Sequence, residues 1–445
     1  VNKPSGTLNM SGTISLGGVW IWQSGNVNAN VSTLKFVSYS STFTAGPVSY
    51  YNIEIAKTIG NSLTVSSTAT VTNNLTISGT YNSFTGTINV SGDVSITATS
   101  SGGGGGGMIS FVGTGDQNIS SAGGYFPNII VNKPSGTLNM SGTISLGGNW
   151  NWQSGIINAQ TSTLNFMDYS NYFTPGPGNY YNIRIEVNYS VYLRSNISIS
   201  NNLDIIKGYL VQNNYNLQVN NAIIVSQSGV WQNYSTSTSY VYVGNGEVAN
   251  NGYVDFNGGN DYNDCTGADT VLIRSTSPGT RRSWSGSGNF RMRDVDVKDQ
   301  SGTAAIVVAQ GTNSGNDGSN WTFDNNPLNY ILKANLTSSI FDTQVIGGAS
   351  LNSIMFGSTG VNFGNLVKFQ ITSSDNSSGP WSFMGPDGTE ATYYIPSYGG
   401  TNYTVPINPI QHSNKRYFRY KIFLETDTCR SIGPQVKGVI INWAP

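Results

Sequence analysis

Two short stretches of this sequence carry the residue types that could cleave a polysaccharide. "DFNGGNDYNDCTGAD" holds the carboxylates Asp255, Asp261, Asp264 and Asp269, and "FRMRDVDVKD", over 290–299, mixes arginine, aspartate and lysine. Glycoside hydrolysis requires paired carboxylates. In the second stretch, however, charged and apolar residues alternate, which is typical of a strand with one solvated face and cross-strand ion pairs. We therefore predict that the chain is not an enzyme, with a polysaccharide-degrading site as the minor alternative.

The chain has a single histidine, His412. It lies in "NPIQHSNKRYF", which predicts a loop before a strand, and no serine or cysteine nucleophile motif is close to it in the sequence. A Ser-His-Asp site and a histidine-based metal site are therefore both disfavoured, and we predict no catalytic residues.

Oxygen-rich turns leave calcium as the one cofactor that the sequence could support. "NGGNDYNDCTGAD" contains Asp261 and Asp264, and "GPDGTE" contains Asp387 and Glu390. Such oxygens suit Ca²⁺, but neither stretch has the ligand spacing of an EF-hand. Asn and Asp are also ordinary turn residues, so the prediction is no cofactor, with calcium as the open alternative.

Aromatic side chains offer a second kind of chemistry, because their flat faces can stack on sugar rings. Trp381 of "GPWSF", together with Tyr393 and Tyr394, forms the candidate carbohydrate-binding set. Exposed tyrosine or tryptophan in the repeats is the other option. The alternative for Trp381 is a core position that anchors the surrounding strands.

A pair of tryptophans occurs twice, as Trp20 and Trp22 in "GGVWIWQSG" and as Trp150 and Trp152 in "GGNWNWQSG". Around them, residues 1–55 match residues 131–185 at 40 of 55 positions, and the 15 differences fall largely between the apolar positions. Two of these differences replace an apolar residue by asparagine, which is tolerable in solvent and costly in a core. The four tryptophans are therefore predicted to point inward as structural residues, although their spacing also suits a sugar platform.

The elements that must position these residues are short strands. Apolar residues recur with a period of two, and links such as "SGT" and "GGV" are too short to hold helices. Such strands suit a parallel β-helix, in which each strand pairs with the coils before and after it. The general preference for right-handed crossovers favours a right-handed helix. We predict one repeat unit over 1–130 and a second over 131–324, which ends in irregular closing coils.

Paired asparagines stand just before several strands, in "TNNL" from Thr72, "SNNL" from Ser200 and "VNNA" from Val219. Asparagine tolerates the left-handed backbone conformation, and stacked asparagines can bond to one another in ladders. These pairs therefore predict the corners of coils.

The sequence changes character after the polar segment "QGTNSGNDGSNWTFDNNP". Longer alternating strands follow, such as "VKFQI", "RYFRYKIFL" and "VKGVIINW". In the second of these, Phe418 and Ile422 face one way while Arg419 and Lys421 face the other. Turn signals separate these strands, so an all-β domain, a β-sandwich or jelly roll, is predicted over 328–445.

The composition of the chain limits which binding partners and which cellular location we expect. Only 10% of the residues are charged and the net charge is -1, so the chain has no electrostatic footprint for nucleic acid or for an anionic membrane. There is no run of 18 apolar residues, and we predict no membrane insertion. Richness in Gly, Ser, Thr and Asn favours a secreted protein, so we expect a leader to have been removed before Val1. Cys265 and Cys429 are expected to be unpaired, with a disulfide as the alternative.

Several stretches resemble parts of known surface proteins. "GPWSFMGPDGTEATYY", "KRYFRYKIFLETD" and "GPQVKGVIINWAP" resemble a β-sandwich module that recurs at the carboxy-terminal ends of large secreted bacterial proteins. The repeats resemble the adhesin-like parallel β-helices of bacterial secreted and cell-surface proteins. The resemblance implies an extracellular or cell-surface location, and it carries over no catalytic residue.

These observations together lead to an expected function. We expect a non-enzymatic structural or adhesive protein, either a cell-surface adhesin or a fibre subunit. Exposed β edges could join subunits head to tail through the ends of the β-helix. Glycans or other ligands on a host or cell surface are the other expected partners. A carbohydrate-binding surface protein that uses exposed aromatic residues is the alternative function.

Overall fold

The computed structural model describes residues 1–445 except 59, 80–83, 98–105, 170, 260–269, 325–332, 358–366, 399–402, 426–433 and 435. These described residues are nearly all β, with a parallel β-solenoid of about 14 turns and antiparallel sheets near the carboxy terminus that fit a β-sandwich. The predicted fold class is therefore confirmed. The described residues fall into two compact units, one within 1–322 without 308–310 and the other within 323–445 together with 308–310.

The solenoid is made of short strands, the longest of which has 14 residues. The strands up to Ser141 are Asn2–Asn9 (β1), Thr13–Leu16 (β2), Trp20–Ile21 (β3), Ser24–Asn28 (β4), Thr33–Ser38 (β5), Ser41–Thr44 (β6), Ser49–Tyr50 (β7), Asn52–Lys57 (β8), Leu63–Val65 (β9), Ala69–Val71 (β10), Leu75–Ile77 (β11), Phe84–Val90 (β12), Val94–Ile96 (β13), Gly107–Phe111 (β14), Gln117–Ser121 (β15), Tyr125–Phe126 (β16) and Asn128–Ser141 (β17).

The remaining solenoid strands continue the same pattern. They are Thr143–Leu146 (β18), Trp150–Asn158 (β19), Thr163–Asp168 (β20), Asn171–Thr174 (β21), Asn179–Tyr180 (β22), Asn182–Leu193 (β23), Ile197–Ile199 (β24), Leu203–Val211 (β25), Leu217–Val219 (β26), Ile223–Tyr234 (β27), Ser239–Val243 (β28), Val248–Asn250 (β29), Tyr253–Asn257 (β30), Val271–Ser275 (β31), Arg282–Ser285 (β32), Asn289–Arg293 (β33), Val295–Val297 (β34), Gln300–Gly302 (β35), Ile306–Ala309 (β36), Thr312–Asn313 (β37) and Trp321–Asp324 (β38).

Successive coils pair in parallel, so residues at equivalent positions lie directly above one another. One such column contains Leu34 of β5, Ile53 of β8, Leu75 of β11 and Val94 of β13. None of these four side chains is more than 1% exposed. The period of two in the sequence thus places one face of these four strands inside the solenoid, as predicted.

A column of the same kind runs through the second copy, where Ile144 pairs with Leu164, Leu164 with Ile183, Ile183 with Leu203, and Leu203 with Ile223. All five side chains are buried. The column continues past residue 185, beyond which the sequences of the two copies no longer match. Burial of branched aliphatic side chains is therefore what the repeats have in common.

The paired asparagines form the predicted ladders between coils. The side-chain amide of Asn73 donates to Asn52 Oδ1 in the preceding coil (2.9 Å), and the backbone N–H of Asn74 donates to the same oxygen (3.1 Å). Asn201 and Asn182 make the equivalent amide contact at 2.9 Å. Each ladder satisfies backbone groups at a corner that the strand hydrogen bonds do not reach.

The expected left-handed conformation at these paired asparagines is wrong. Positive φ occurs instead at Asn30 and Gln160 and at Ser38 and Asp168, which are equivalent corners of the two copies. The paired asparagines contribute their side-chain amides, which must reach the neighbouring coil, and the reversal of the chain is left to other residues.

A buried lysine locks one corner of the first copy. Lys57 is fully buried, and its Nζ donates to Val37 O (3.1 Å), Tyr39 O (2.5 Å) and Ser41 Oγ (2.8 Å). Three oxygen acceptors replace the water that an ammonium group would otherwise bind. Burial lowers the pKa of the Lys57 ammonium.

The second copy satisfies the same corner with an amide. Asn171 takes the position of the serine and Val187 that of the lysine. The Asn171 side chain donates to Met167 O (3.3 Å) and Tyr169 O (3.2 Å), the two carbonyls equivalent to those bound by the lysine. Two linked substitutions have thus exchanged a buried cation for a neutral donor.

The carboxy-terminal unit contains two antiparallel four-stranded sheets. Its elements are Lys333–Thr337 (β39), Phe341–Asp342 (β40), Ser350–Gly357 (β41), Val367–Ser374 (β42), Ser397–Tyr398 (β43), Tyr403–Pro406 (β44), Pro409–His412 (α1), Tyr417–Glu425 (β45) and Gly438–Ala444 (β46). In one sheet β45 pairs with β39, β40 and β42, and in the other β41 lies between β44 and β46. Buried residues of both sheets, including Phe356, Phe369, Phe418 and Ile422, form one core.

Candidate functional site

The outer face of the solenoid differs between the two copies at several positions, and one coil-to-coil pair exchanges small side chains for large ones. In the first copy Thr42 of β6 lies beside Thr64 of β9. At the same positions in the second copy, Tyr172 of β21 lies beside Tyr192 of β23. Two small hydroxyl side chains have therefore been replaced by two aromatic rings on a wall that is otherwise alike.

These two rings are exposed and in contact. Tyr172 is 48% exposed and Tyr192 36% exposed, and their ring centroids are 5.7 Å apart with the planes tilted by 41°. The guanidinium carbon of Arg194 lies 4.3 Å from the centroid of the Tyr172 ring. A serine, Ser66, occupies the arginine position in the first copy. The cation–π contact holds one face of Tyr172 and limits its motion.

A second tyrosine pair lies close to the first in the sequence, three residues earlier on each side. Tyr169 follows β20 and Tyr189 belongs to β23, with ring centroids 6.3 Å apart and planes within 14°. The two are 65% and 58% exposed. Because the Asn171 side chain binds Tyr169 O, the turn that carries the first ring is fixed. The equivalent tyrosine of the first copy is Tyr39, which is 74% exposed.

We call the following set the tyrosine surface: Tyr169, Tyr172, Tyr189, Tyr192 and Arg194. Among the described residues of 160–220, the large apolar side chains that are exposed are these four tyrosines and no aliphatic residue. Exposed patches of this kind usually mark interaction sites. A phenol ring presents an apolar face for stacking and a hydroxyl for hydrogen bonding, so the surface is suited to binding a partner and has no acid–base pair for catalysis.

Sequence reasoning did not single out these tyrosines. The available signal was the replacement of Thr42 by Tyr172 between otherwise matching copies. The replacement of Thr64 by Tyr192 lies beyond the matching segment, and only the stacking of coils brings the two rings together.

The aromatic residues predicted in the sandwich lie in less open positions. Trp381 is half-buried, with the Arg419 guanidinium carbon 5.8 Å from its ring centroid. Tyr393 is half-buried and packs edge to face on Phe423 at 5.0 Å. Tyr394 is 1% exposed and belongs to the core. Its ring is therefore unavailable to a sugar in this structure.

The duplicated tryptophans occupy two kinds of position. Trp150 is fully buried, whereas Trp20 is half-buried and meets Tyr50 edge to face at 6.1 Å. Trp22 and Trp152 are half-buried, and the indole N–H of each donates to a glycine carbonyl three residues further on. All four make contacts that hold coils or corners together.

The loop around Asp387 is braced by its own hydrogen bonds. Asp387 Oδ1 accepts from the backbone N–H and the hydroxyl of Thr389, both at 2.9 Å, and from the hydroxyl of Thr392. The Thr392 hydroxyl and the Thr389 backbone N–H hold the pKa of the Asp387 carboxyl below its usual range. Glu390 is exposed, and its carbonyl accepts from Gln370.

The other predicted acidic residues, Asp261, Asp264 and Asp269, lie outside the described residues, as do Cys265 and Cys429. Within the part of the chain that the structure describes, no three His, Cys, Asp or Glu side chains come together as a metal site. Calcium binding stays a prediction.

The charged stretches considered for catalysis meet inside the protein. Asp255 of β30 lies beside Arg291 of β33 in the next coil, and Arg291 Nη1 is 3.5 Å from Asp255 Oδ2. The Tyr234 hydroxyl donates to the same oxygen at 2.5 Å. Asp255 is 4% exposed and Arg291 7% exposed. Burial raises the pKa of the Asp255 carboxyl, while Arg291 opposes the shift.

His412 ends the short helix α1, where a loop was predicted. It is fully buried, and its Nδ1 lies 3.1 Å from Ser373 Oγ. Burial lowers the pKa of His412 to about 4. The imidazole is therefore neutral and enclosed at physiological pH.

No protein-family model, curated protein or solved structure matches this chain. Among the described residues, no helix has the length and apolar character needed to cross a membrane. The function must therefore be argued from the surfaces and side chains of the chain itself.

Proposed function

We propose that this chain is a non-enzymatic extracellular protein with a structural and adhesive role. The observation that carries the proposal is the contrast between the inside and the outside of the duplicated coils. The aliphatic columns are kept, while outer positions such as Thr42 and Tyr172 change. A wall that tolerates such changes is a scaffold on which a binding surface can be altered without refolding the protein.

Repeat architecture supports this role. Each coil of a solenoid contacts only its neighbours, and the stack offers long regular faces to a ligand. Corner hydrogen bonds, such as the one from Lys57 Nζ to Val37 O, tie successive turns together along the stack. Such a body suits display of a surface more than the enclosure of a substrate.

The position of the charged residues favours a non-enzymatic role over polysaccharide cleavage. A glycosidase needs two carboxyl groups on either side of a bound sugar chain. Asp255 is instead enclosed together with Arg291 and the Tyr234 hydroxyl. A polymer would have no access to this carboxylate without displacement of the residues around it.

Adhesion of coated beads tests the proposal. Fluorescent beads carrying the full chain are settled on films of mixed polysaccharides, on films of extracellular-matrix proteins and on layers of bacterial cells, and are then washed under flow. We expect retention on at least one surface, without release of reducing sugar or peptide into the wash. Retention on none of them, or steady release of cleaved product, would overturn the proposal.

A further inference from the structure

We propose that the tyrosine surface is a binding site for a neutral polysaccharide. The proposal rests on the adhesive role above and names the ligand class and the residues that bind it. The site comprises the four tyrosine rings and Arg194, spread over two successive coils on the outside of the second copy.

The rings are held in place before any ligand arrives. Tyr169 and Tyr189 are nearly parallel at 6.3 Å, and Tyr172 is fixed by Tyr192 at 5.7 Å and by Arg194 at 4.3 Å. Binding to fixed rings costs less conformational entropy than binding to freely rotating ones. Tyrosine is well suited to this use because it offers a large contact area with few rotatable bonds.

The composition of the surface favours a sugar polymer over a protein partner. Protein interfaces are also enriched in tyrosine and arginine, but their cores pack Trp, Phe and Met as well into a largely apolar patch. Among the described residues of 160–220, the exposed large apolar side chains are tyrosines alone. A pyranose has one apolar face and a rim of hydroxyl groups, which matches rings that end in hydroxyls and are surrounded by polar side chains.

The charges beside the rings favour a neutral polymer over an acidic one. On the neighbouring strands Arg184 lies beside Asp204, and Glu186 beside Lys207. These outer charges balance one another across the coils. The remaining cation of the surface, Arg194, already lies on the Tyr172 ring.

The open geometry favours a chain over a single sugar. Three of the rings stand on strands of a continuous parallel sheet and Tyr169 directly follows β20, and each ring is between 36% and 65% exposed. Several separate stacking contacts, each weak, add up only for a ligand long enough to reach more than one ring.

The first copy supplies a matched control within the same chain. It keeps the wall and the exposed Tyr39 but has Thr42, Thr64 and Ser66 in place of the second pair of rings and the arginine. Substitution of the second copy by these residues removes the site while using side chains that the same fold already accepts.

Native gels that contain soluble hydroxyethyl cellulose, mannan or dextran provide the test. We expect at least one of them to retard the full chain. The variant Tyr172→Thr/Tyr192→Thr should bind that polymer about tenfold more weakly, since two stacking contacts are lost. Tyr39→Ser, which removes an exposed tyrosine from the first copy, should leave retardation unchanged. Melting temperatures of both variants, expected to equal that of the parent chain, check the fold.

Three results would overturn the inference. The first is that none of the three polymers retards the chain. The second is equal retardation of the parent and of Tyr172→Thr/Tyr192→Thr, which would place binding elsewhere. The third is retardation by hyaluronan with none by the neutral polymers, which would make the ligand acidic. If the beads still adhere to protein films or cells in any of these cases, the adhesive role stands and the polysaccharide site fails.

Discussion

The same six residues, "VNKPSG", open both copies of the duplicated sequence and have different roles in each. In the second copy, Lys133 is 1% exposed, and its Nζ donates to Gly113 O (2.9 Å), Gly115 O (2.8 Å) and Gln117 Oε1 (2.7 Å) of the coil before it. In the first copy, Lys3 donates to Thr7 O (3.0 Å) within its own turn. The same lysine therefore joins two coils only where a preceding coil supplies the acceptors for its ammonium group. We call the Lys133 contacts the lysine clamp.

The apolar residues of the two copies show the same contrast. Ile14 and Trp20 are half-buried in the first copy, whereas Ile144 and Trp150 are fully buried in the second. Strand β1 pairs with β4 alone among the described strands, while β17 has partners on both of its sides. Identical residues of the two copies are therefore expected to contribute differently to stability, because their coils have different neighbours.

The largest expected effect comes from removing the buried tryptophan. Trp150→Ala should lower the free energy of unfolding by about 3 to 5 kcal/mol, because it opens a cavity in a closed interior. Trp20→Ala should cost only about 1 to 2 kcal/mol, since that side chain is already partly exposed to solvent. Urea unfolding of the two variants measures the difference. Equal decreases in the free energy of unfolding would contradict the difference that we infer between the two copies.

The lysine pair should give a smaller difference of the same sign. Lys133→Met leaves the Gly113 and Gly115 carbonyls without their donor, which should cost about 2 to 3 kcal/mol. Lys3→Met should change stability by less than about 0.5 kcal/mol, as expected at an exposed position. Thermal melting of each variant checks this. A loss at Lys3→Met as large as at Lys133→Met would show that the clamp is not the cause.

A double-mutant cycle compares the corner that Lys57 holds in the first copy with the equivalent corner that Asn171 holds in the second. Lys57→Val alone should cost about 2 kcal/mol, because it leaves the Val37 and Tyr39 carbonyls unpaired. Adding Ser41→Asn should recover most of this loss, since the second copy uses that asparagine with valine at the lysine position. Stabilities of the parent, the two single variants and the double variant give the coupling energy. Additive losses would mean that the amide cannot replace the ammonium.

The smallest loss of stability expected from a change in the second copy lies on its outer face. Tyr172→Thr/Tyr192→Thr should change the free energy of unfolding by no more than about 1 kcal/mol, the worth of one exposed aromatic pair. The threonines are those of the first copy at the same positions. A loss comparable to that of Trp150→Ala would show that the rings belong to the wall, and circular dichroism melts distinguish the two cases.

Much of the architecture could be predicted because it repeats. Leu34, Ile53 and Leu75 each lie in a short strand whose apolar residues occupy alternate positions. Such a period of two gives a strand one buried face. The stacking of Asn221 on Asn201 followed from asparagine pairs at equivalent places. Each of these features depends on local sequence together with the single assumption that coils stack in parallel.

The features that sequence reasoning missed depend on which residues meet across coils. Lysine is usually exposed to solvent. The three oxygens that accept hydrogen bonds from Lys57 lie far from it in the sequence, so the residues beside it do not predict its burial. Tyr394 follows Tyr393 directly, so alternation puts only one of them on the surface, and the sequence does not tell which. Tyr172 and Tyr192 become neighbours only in the folded stack.

One crossed comparison tests the central claim that the wall carries stability and the outer face of the second copy carries binding. Trp150→Ala and Tyr172→Thr/Tyr192→Thr are each assayed for melting temperature and for retardation in the neutral-polysaccharide gel that retards the parent chain most. We predict that the tryptophan variant melts several degrees lower and still binds at low temperature, whereas the tyrosine variant keeps its melting temperature and loses binding. A tyrosine variant that melts lower and binds as the parent does would contradict the account.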